Sequence, residues 1–369
     1  MKNIFKLLAF LPLLTACDDL FEPALENNRD LEAMYKEPSY AQGILANAYI
    51  ILPYETSPTS DLATDDAVTN EISSNYLRMA TGSWTANNNP VSQWQNRFNA
   101  IQYINLFLEN VDKVEWAKDE RISTMFLDRL KGEAYGLRAL HMYYLLRAHG
   151  GKIADGTLMG VPIILKSEGP DADFNHARAT YSDCVKQIME DADKAIELLP
   201  LDYKKFADSE IPEKYKNIGV TNASDYRRVC GEEYRGLMSG RIALAVRAQT
   251  ALLAASPAFQ SGSGMTWEQA ADYAAEIIEK ANGGGGCGLD ADGLEWYTLA
   301  DKDYGTGGSP AEVIWRSSTD DNNTLETANF PPSLYGNGRV NPTQNLVDAF
   351  PMANGYPISE TSGNYRKPV

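Results

Sequence analysis

A chain of 369 residues with 44% hydrophobic and 22% charged residues has the composition of a folded globular protein. Its net charge of -17 repels phosphate backbones and excludes nucleic acid as a natural partner. Four cysteines, three histidines and no CxxC pair exclude a disulfide framework and a zinc site of ordinary ligand spacing.

The first element is an apolar run, Leu7 to Leu14, that follows Lys2 and Lys6 and stops at Leu14-Thr15-Ala16-Cys17. A membrane-spanning helix needs about 20 apolar residues, so residues 1–16 read as a cleaved leader, not a span. A plain signal peptide would not need Cys17 beside the cut. The order of these residues resembles the lipobox of bacterial lipoproteins, which implies that Cys17 becomes the lipid-bearing first residue of the mature chain. Several acyl chains anchor stably where one would not. Loss of the leader leaves roughly 350 residues, enough for one large domain or two ordinary ones, and removes two positive charges.

Long amphipathic segments follow. In Pro38–Leu52 the residues Tyr40, Ile44, Leu45, Ala48, Tyr49 and Leu52 repeat with helical spacing until Pro53. Val91–Val111 carries Trp94, Phe98, Ile101, Ile104, Leu108 and Val111 on one stripe. Ile122–Ala148 is apolar on most sides after Ala134, which predicts a buried helix, and Gly150-Gly151 predicts a left-handed stop. "GVPIIL" reads as a short extended piece in a long connection. Thr180 and Asp183 form a capping box for a helix with the stripe Tyr181, Val185, Ile188, Ala192, Ala195 and Leu199, stopped by Pro200. Arg241–Ser256 and Trp267–Ala281, the latter opened by Thr266 and Gln269, are alanine-rich helices about ten residues apart, which suits an antiparallel tetratricopeptide-type pair. The full consensus is absent, so the array is a degenerate one. The predicted fold is mainly α: helix hairpins over about 30–282 with an inserted loop at 54–90, and a loop-rich flank at 283–369 in which only "AEVIWRSS" looks strand-like. Loops on a rigid scaffold are where binding resides.

Chemistry-bearing residues are few. Asp65-Asp66, Asp191 with Asp193, and Asp320-Asp321 offer carboxylates for a glycosidase pair, but nothing in the sequence sets two of them face to face, and they read as solvated surface acids. His141 lies inside an apolar helix and no GxSxG is present, which argues against a serine hydrolase. "NGGGGCGLDADG" follows a helix and lacks the GK[ST] ending of a phosphate loop. Its Asp290–Gly293 stretch lacks the later ligands of a calcium loop. No cofactor is expected. Cys184, Cys230 and Cys287 are far apart, and one bridge among them cannot be assigned. "NYLRMATGSWTANNNP" sets Trp84 among polar neighbours. A flat ring stacks on the C–H face of a sugar while amide and guanidinium groups bond its hydroxyls. The competing reading is a tryptophan folded back over the helices. On the sugar reading Trp84 is the platform, Asn87 and Arg78 are donors, Asp66 is an acceptor, and Tyr76 and Tyr335 are further rings.

Taken in order, the Cys17 leader, "GEAYGLRALHMYYLLRAHGGKIA…GVPIIL", "YSDCVKQIMEDADKAIELLP", "SGRIALAVRAQTALLAASPAF" and "NPTQNLVDAFPMANGYPI" resemble the SusD/RagB family of outer-membrane lipoproteins. The resemblance spans nearly all of residues 17–369 as one domain and is most specific from Gly132 to Leu165. It implies tetratricopeptide-like helix pairs with a loop-rich second half. It also implies a non-enzymatic, surface-exposed subunit that captures glycan, sometimes peptide, over a SusC-like TonB-dependent transporter. Trp84 with Asn87 matches the aromatic-plus-amide loop of starch-binding members, and Asp18-Asp19 resembles the acidic export signal of surface lipoproteins. Family members usually continue well past "FPMANGYPI", so the resemblance implies that the chain lacks a C-terminal part, either as a fragment or as a truncated gene product. An adaptor binding protein or peptide along a helical groove and a surface glycan hydrolase are the alternatives.

Overall fold

The computed structural model describes residues 31–53, 60–85, 87–281, 289, 312–317 and 322–358. The leader, Cys17, Asp18-Asp19, Cys287, Asp290–Gly293 and Asp320-Asp321 lie outside them. The scaffold is built from α1 (Pro38–Ile50), α2 (Asn75–Ala80), α3 (Trp94–Asn110), α4 (Glu120–His149), α5 (Tyr181–Leu198), α6 (Gly240–Ala255) and α7 (Trp267–Ala281). The mainly helical, hairpin-built architecture expected from the sequence is the one observed. Pro38 occupies the first turn of α1, where a missing N–H is tolerated. Side-chain oxygens of Asp119, Thr180 and Ser239 accept from the first-turn amides of α4, α5 and α6. Thr266 and Gln269 exchange hydrogen bonds as a full capping box, Gln269 N to Thr266 Oγ1 at 3.2 Å and Thr266 N to Gln269 Oε1 at 3.0 Å.

Leaving α2 aside, which packs on the 3-10 turn at Ser60–Ala63, successive helices run antiparallel, each packed on the next. Trp94 at the start of α3 meets His149 at the end of α4, with ring centroids 5.4 Å apart. Gly150, after α4, lies against Tyr181 at the start of α5. Arg241 at the start of α6 donates to Lys280 O near the end of α7. Gly132 and Gly136 on α4 explain how closely α5 and the segment before α6 approach: a Cβ at either position would stand 2.6 Å from Leu199 Cγ or Met238 Cγ. The main core gathers Ile101, Ile104, Phe107, Leu137, Met142, Ile188 and Val246 from α3 to α6. A second core, with Ile122, Met125, Tyr215, Tyr226 and Val229, seats residues 203–235 on the first turns of α4.

Four sequence expectations are corrected. Gly150 is extended (φ -73, ψ 148), not left-handed. A Cβ there would strike Leu146 O at 2.6 Å and Tyr181 at 2.9 Å, so close approach requires this glycine. The inserted stretch 54–90 is not all loop, since it holds a 3-10 turn at Ser60–Ala63, the strand β1 (Ala67–Thr69) and α2. Residues 312–317 form no strand; Ile314 and Trp315 pack on the core, and Trp315 Nε1 donates to Gly236 O at 2.8 Å. Asp191 is not a surface acid but wholly buried against Arg138.

His141 is the core residue its apolar helix implied. Arg97 Nη1 donates to His141 Nδ1 at 3.2 Å, so the neutral ring carries its proton on Nε2 and donates to Ala48 O at 3.1 Å. Burial, then the Arg97 charge, lowers its pKa to about 3. The unfolded chain takes up this proton below about pH 6.5, while the folded chain does so only near 3. The contribution is therefore complete above 6.5 and drains as pH falls toward 3. Denaturant titrations should show a loss of about 2 kcal/mol from His141 alone between about pH 7 and pH 5, and His141→Gln should flatten that part of the profile.

Candidate functional site

Two stretches far apart in sequence meet at one seam. β2 (Gly151–Lys152) and β3 (Leu158–Met159) pair with each other after α4, and β1 pairs antiparallel with β4 (Val340–Pro342) in the register Ala67↔Pro342, Val68↔Asn341 and Thr69↔Val340. Thr343 N donates to Asp66 O at 2.8 Å, and the Thr343 hydroxyl donates to Asp65 O. Asn70 bonds both ways across the seam. Its amide donates to Gly338 O at 3.2 Å, 268 residues away, and its Oδ1 accepts from Arg339 Nη1 at 3.2 Å. Between these stretches lies a cleft of about 550 Å³, within the size range of small-ligand pockets. Leu62, Ala328 and Val340 supply its apolar wall; Thr69, Glu71, Ser74, Asn323, Thr324, Thr327, Asn337 and Arg339 supply hydroxyl, amide, carboxylate and guanidinium groups. A lining of that kind offers many donors and acceptors to a polyhydroxylated ligand.

α2 links this cleft to the Trp84 loop. Ser74 stands at its N-terminal end and lines the cleft, and the chain leaving its C-terminal end enters residues 81–92. Six helical residues span about 9 Å. The loop is held by its own backbone. Ser83 N donates to Arg78 O at 2.9 Å, Thr85 and Asn88 exchange two amide bonds, and Ser92 N donates to Asn89 O at 3.3 Å. Arg78 Nη1 reaches Asn88 Oδ1 at 3.5 Å. Trp84 is 50% exposed, so it is not folded away as a cover for the helices.

The structure therefore joins Arg78, Trp84 and Asn87 in one loop-and-helix unit, with Asn87 exposed in the Thr85–Asn88 turn. Asp66 is exposed immediately before β1, and Tyr76 is half-buried on α2. Tyr335 is 98% exposed in the stretch before β4 and adopts the left-handed region at φ 63, rare for a non-glycine residue. The residues that line the cleft were missed in the sequence. Glu71, Ser74, Asn337 and Arg339 become neighbours only through β1–β4 pairing, which no local pattern announces.

The other candidates are structural where they are described. Asp193 accepts from Arg247 Nη1 at 2.6 Å. Cys184 and Cys230 are free and buried, and burial pushes the Cys230 thiol up to about 12. Among the described residues no group of three or more His, Cys, Asp or Glu side chains forms a metal site, and no helix is long and apolar enough to cross a membrane.

A tetratricopeptide-like helical scaffold carrying a polar cleft on its inserted and C-terminal segments defines the class of the protein. The chain belongs to the SusD-like family: residues 25–214 match its model SusD-like_3, described as "Starch-binding associating with outer membrane". A SusD-like protein from Bacteroides fragilis shares the fold at a TM-score of 0.62 and 18% identity, over 91% of this chain and 57% of that one. A SusD-like carbohydrate binding protein from the same species gives 0.56 and 18% over 88% and 55%. A protein titled a putative sugar binding protein, from Bacteroides vulgatus, gives 0.55 and 19% over 84% and 61%. The chain thus spans 55% to 61% of the length of these solved relatives. Comparison with curated proteins finds no match.

Asn70→Ala deletes both side-chain ties across the seam. The bond to Gly338 O joins neutral groups and the bond from the Arg339 guanidinium is exposed to water, so together they contribute about 1–2 kcal/mol, and amide exchange at Val340, Asn341 and Thr343 should quicken by about tenfold while the melting of the helical scaffold stays put. Unchanged exchange there would show that β1–β4 pairing alone holds the cleft closed.

Proposed function

We propose that this protein captures an oligosaccharide at the outer-membrane surface and passes it, uncleaved, to a SusC-like TonB-dependent transporter. The observation that carries this reading is the pairing of a polar cleft with a half-exposed tryptophan at opposite ends of α2. A sugar presents a ring of hydroxyls and a flatter C–H face, and the two ends of α2 match these two kinds of surface. In this reading Trp84 stacks on the ligand, Arg78 and Asn87 donate, Asp66 accepts, and Tyr76 and Tyr335 extend the platform. Glu71 and Arg339 are added as cleft-side partners. Family membership supports the substrate class and the location. Of the carboxylates that a glycosidase pair could use, Asp191 is buried against Arg138 and out of reach of a water-borne glycosidic bond. Cys17, as the lipid-bearing first residue, would hold the mature chain at the membrane.

Binding should be tested by glycan array and then by titration calorimetry on the best glycan. An aromatic contact is worth about 0.5–1.5 kcal/mol beyond the area it buries, so Trp84→Ala should weaken binding by about 30- to 150-fold in total. Unchanged affinity in a folded variant would remove Trp84 from the site, and steady release of shorter sugars would overturn the non-enzymatic reading.

The anchor has its own test. Cys17→Ala should release the protein from membranes or stall its processing. A variant that still sediments with membranes after a high-salt wash would refute lipidation at this residue.

A further inference from the structure

The Trp84 loop ends where α3 begins, and that junction is fastened to α4 by a histidine. The backbone N–H of Gln93, the residue capping α3, donates to His149 Nε2 at 3.1 Å. This amide lies outside the helix and needs an external acceptor. An imidazole nitrogen accepts only when it carries no proton, so Nε2 must be bare and the single proton of the neutral ring sits on Nδ1. Trp94, the next residue, packs its ring edge-on to His149 with centroids 5.4 Å apart and to Phe98 at 4.9 Å. Nothing else described ties this end of the loop to the scaffold so directly. Upstream its bonds are local, Thr85 with Asn88 and Asn89 with Val91 and Ser92.

We propose that His149 is the positioning residue of the loop that carries Trp84, and that it holds the loop only while its imidazole is neutral. The inference rests on the reading of that loop as the ligand platform. Protonation of His149 turns Nε2 into a donor facing a donor, which removes the acceptor and replaces attraction with repulsion. The surroundings set the direction. From α3 the ring meets Gln93 and Trp94, both uncharged. From the connection before α5 it meets the Arg178 guanidinium, whose Nη2 donates to His149 O at 2.7 Å. On its own helix Arg147 is engaged with the Tyr144 ring at 4.6 Å. Partial burial and then the Arg178 charge lower the pKa of His149 below the ordinary value of 6.5. The latch therefore holds at neutral pH and opens only on the acid side of the ordinary imidazole value. His141, two turns earlier on α4, makes the same kind of bond to Arg97 of α3 but stays neutral down to about 3. A change that follows the His149 ring resonances therefore belongs to His149 and not to His141, or to His176, which pairs with Glu168 at 2.6 Å.

The experiment uses the full chain, with two variants. His149→Gln keeps a carbonyl acceptor that does not titrate, and His149→Phe keeps a ring against Trp94 but no acceptor. The readouts are the protection of the Gln93 amide, corrected for the intrinsic pH dependence of exchange, and the binding of maltoheptaose. In the wild type both should fall by about fivefold between about pH 7.5 and pH 4.5, with a midpoint matching the His149 ring resonances. His149→Phe should be low at both pH values, and His149→Gln should be high at both. Protection that ignores pH and His149→Phe overturns the latch. Affinity that stays level while the amide is released overturns its role in positioning. If maltoheptaose does not bind the wild type at any pH, starch-fragment capture fails, while the exchange data still decide whether His149 holds the loop.

Discussion

The scaffold depends on one buried ion pair. Arg138 of α4 grips Asp191 of α5 through two bonds, Nε to Oδ2 at 2.7 Å and Nη2 to Oδ1 at 2.8 Å, and its third donor reaches Asn105 Oδ1 of α3 at 2.9 Å. The Asn105 amide donates in turn to Ile164 O and Lys166 O in the long connection between α4 and α5. Three helices and a loop are tied to one guanidinium. Its forked geometry matches a carboxylate in two places at once, which a lysine would not do. Such a pair adds little net stability over an apolar replacement, but breaking it leaves a naked charge in the core. Alternative helix registers are thereby disfavoured. That is a stronger constraint on relative position than alanine packing alone supplies.

Other buried arginines repeat the device at different levels of the stack. Arg241 grips Asp202 through two bonds as α6 begins. Arg129 lies 3.2 Å from Glu133, donates to Val229 O and sits over the Tyr234 ring at 4.0 Å, tying α4 to the 203–235 insertion. Glu133 accepts from Tyr49 of α1, whose oxygen takes the N–H of Met238. α4, about 45 Å long at 1.5 Å per residue, is the spine on which α1, α3 and α5 are indexed by these polar contacts. The proposed function requires this rigidity. A loop can present a ring and a hydrogen-bonding face to a ligand only if its two ends are held by elements that do not move relative to each other.

The candidate site joins both ends of the described chain. The inserted segment alone supplies Trp84, Arg78 and one wall of the cleft, and residues 322–343 supply the other wall. Neither stretch has much core of its own. Leu62 and Ala67 are buried in the first, while no residue of the second is, so each relies on the β1–β4 ladder and on Asn70 for its placement. A site assembled this way is easily altered in lining without disturbing the helices, which suits a scaffold carrying different binding specificities. The negative net charge plays no part in the proposed chemistry and serves solubility.

The sequence by itself determined the long helices of the scaffold, the prolines that follow α1 and α5, the caps at Thr180 and Thr266, and most of the buried stripes. Those follow from periodicities of three and four residues, from proline and from hydroxyl caps, all local. The stripe Tyr181, Val185, Ile188, Ala192, Ala195 and Leu199 is buried residue for residue. The exposure of Trp84 in a turn-rich loop was legible too, because an aromatic residue among asparagines breaks the expected pattern. What only the tertiary structure decided was pairing at long range. Asp191 looked like a surface acid because a sequence shows a carboxylate but not the arginine opposite. Gly150 looked like a left-handed cap because a sequence shows a missing Cβ but not the Tyr181 ring that needs the room. The cleft was invisible because Glu71 and Arg339 meet through a register between strands of three residues each, too short to carry a period. Local order is written in neighbouring residues; a binding site is written in which distant residues the packed core forces together.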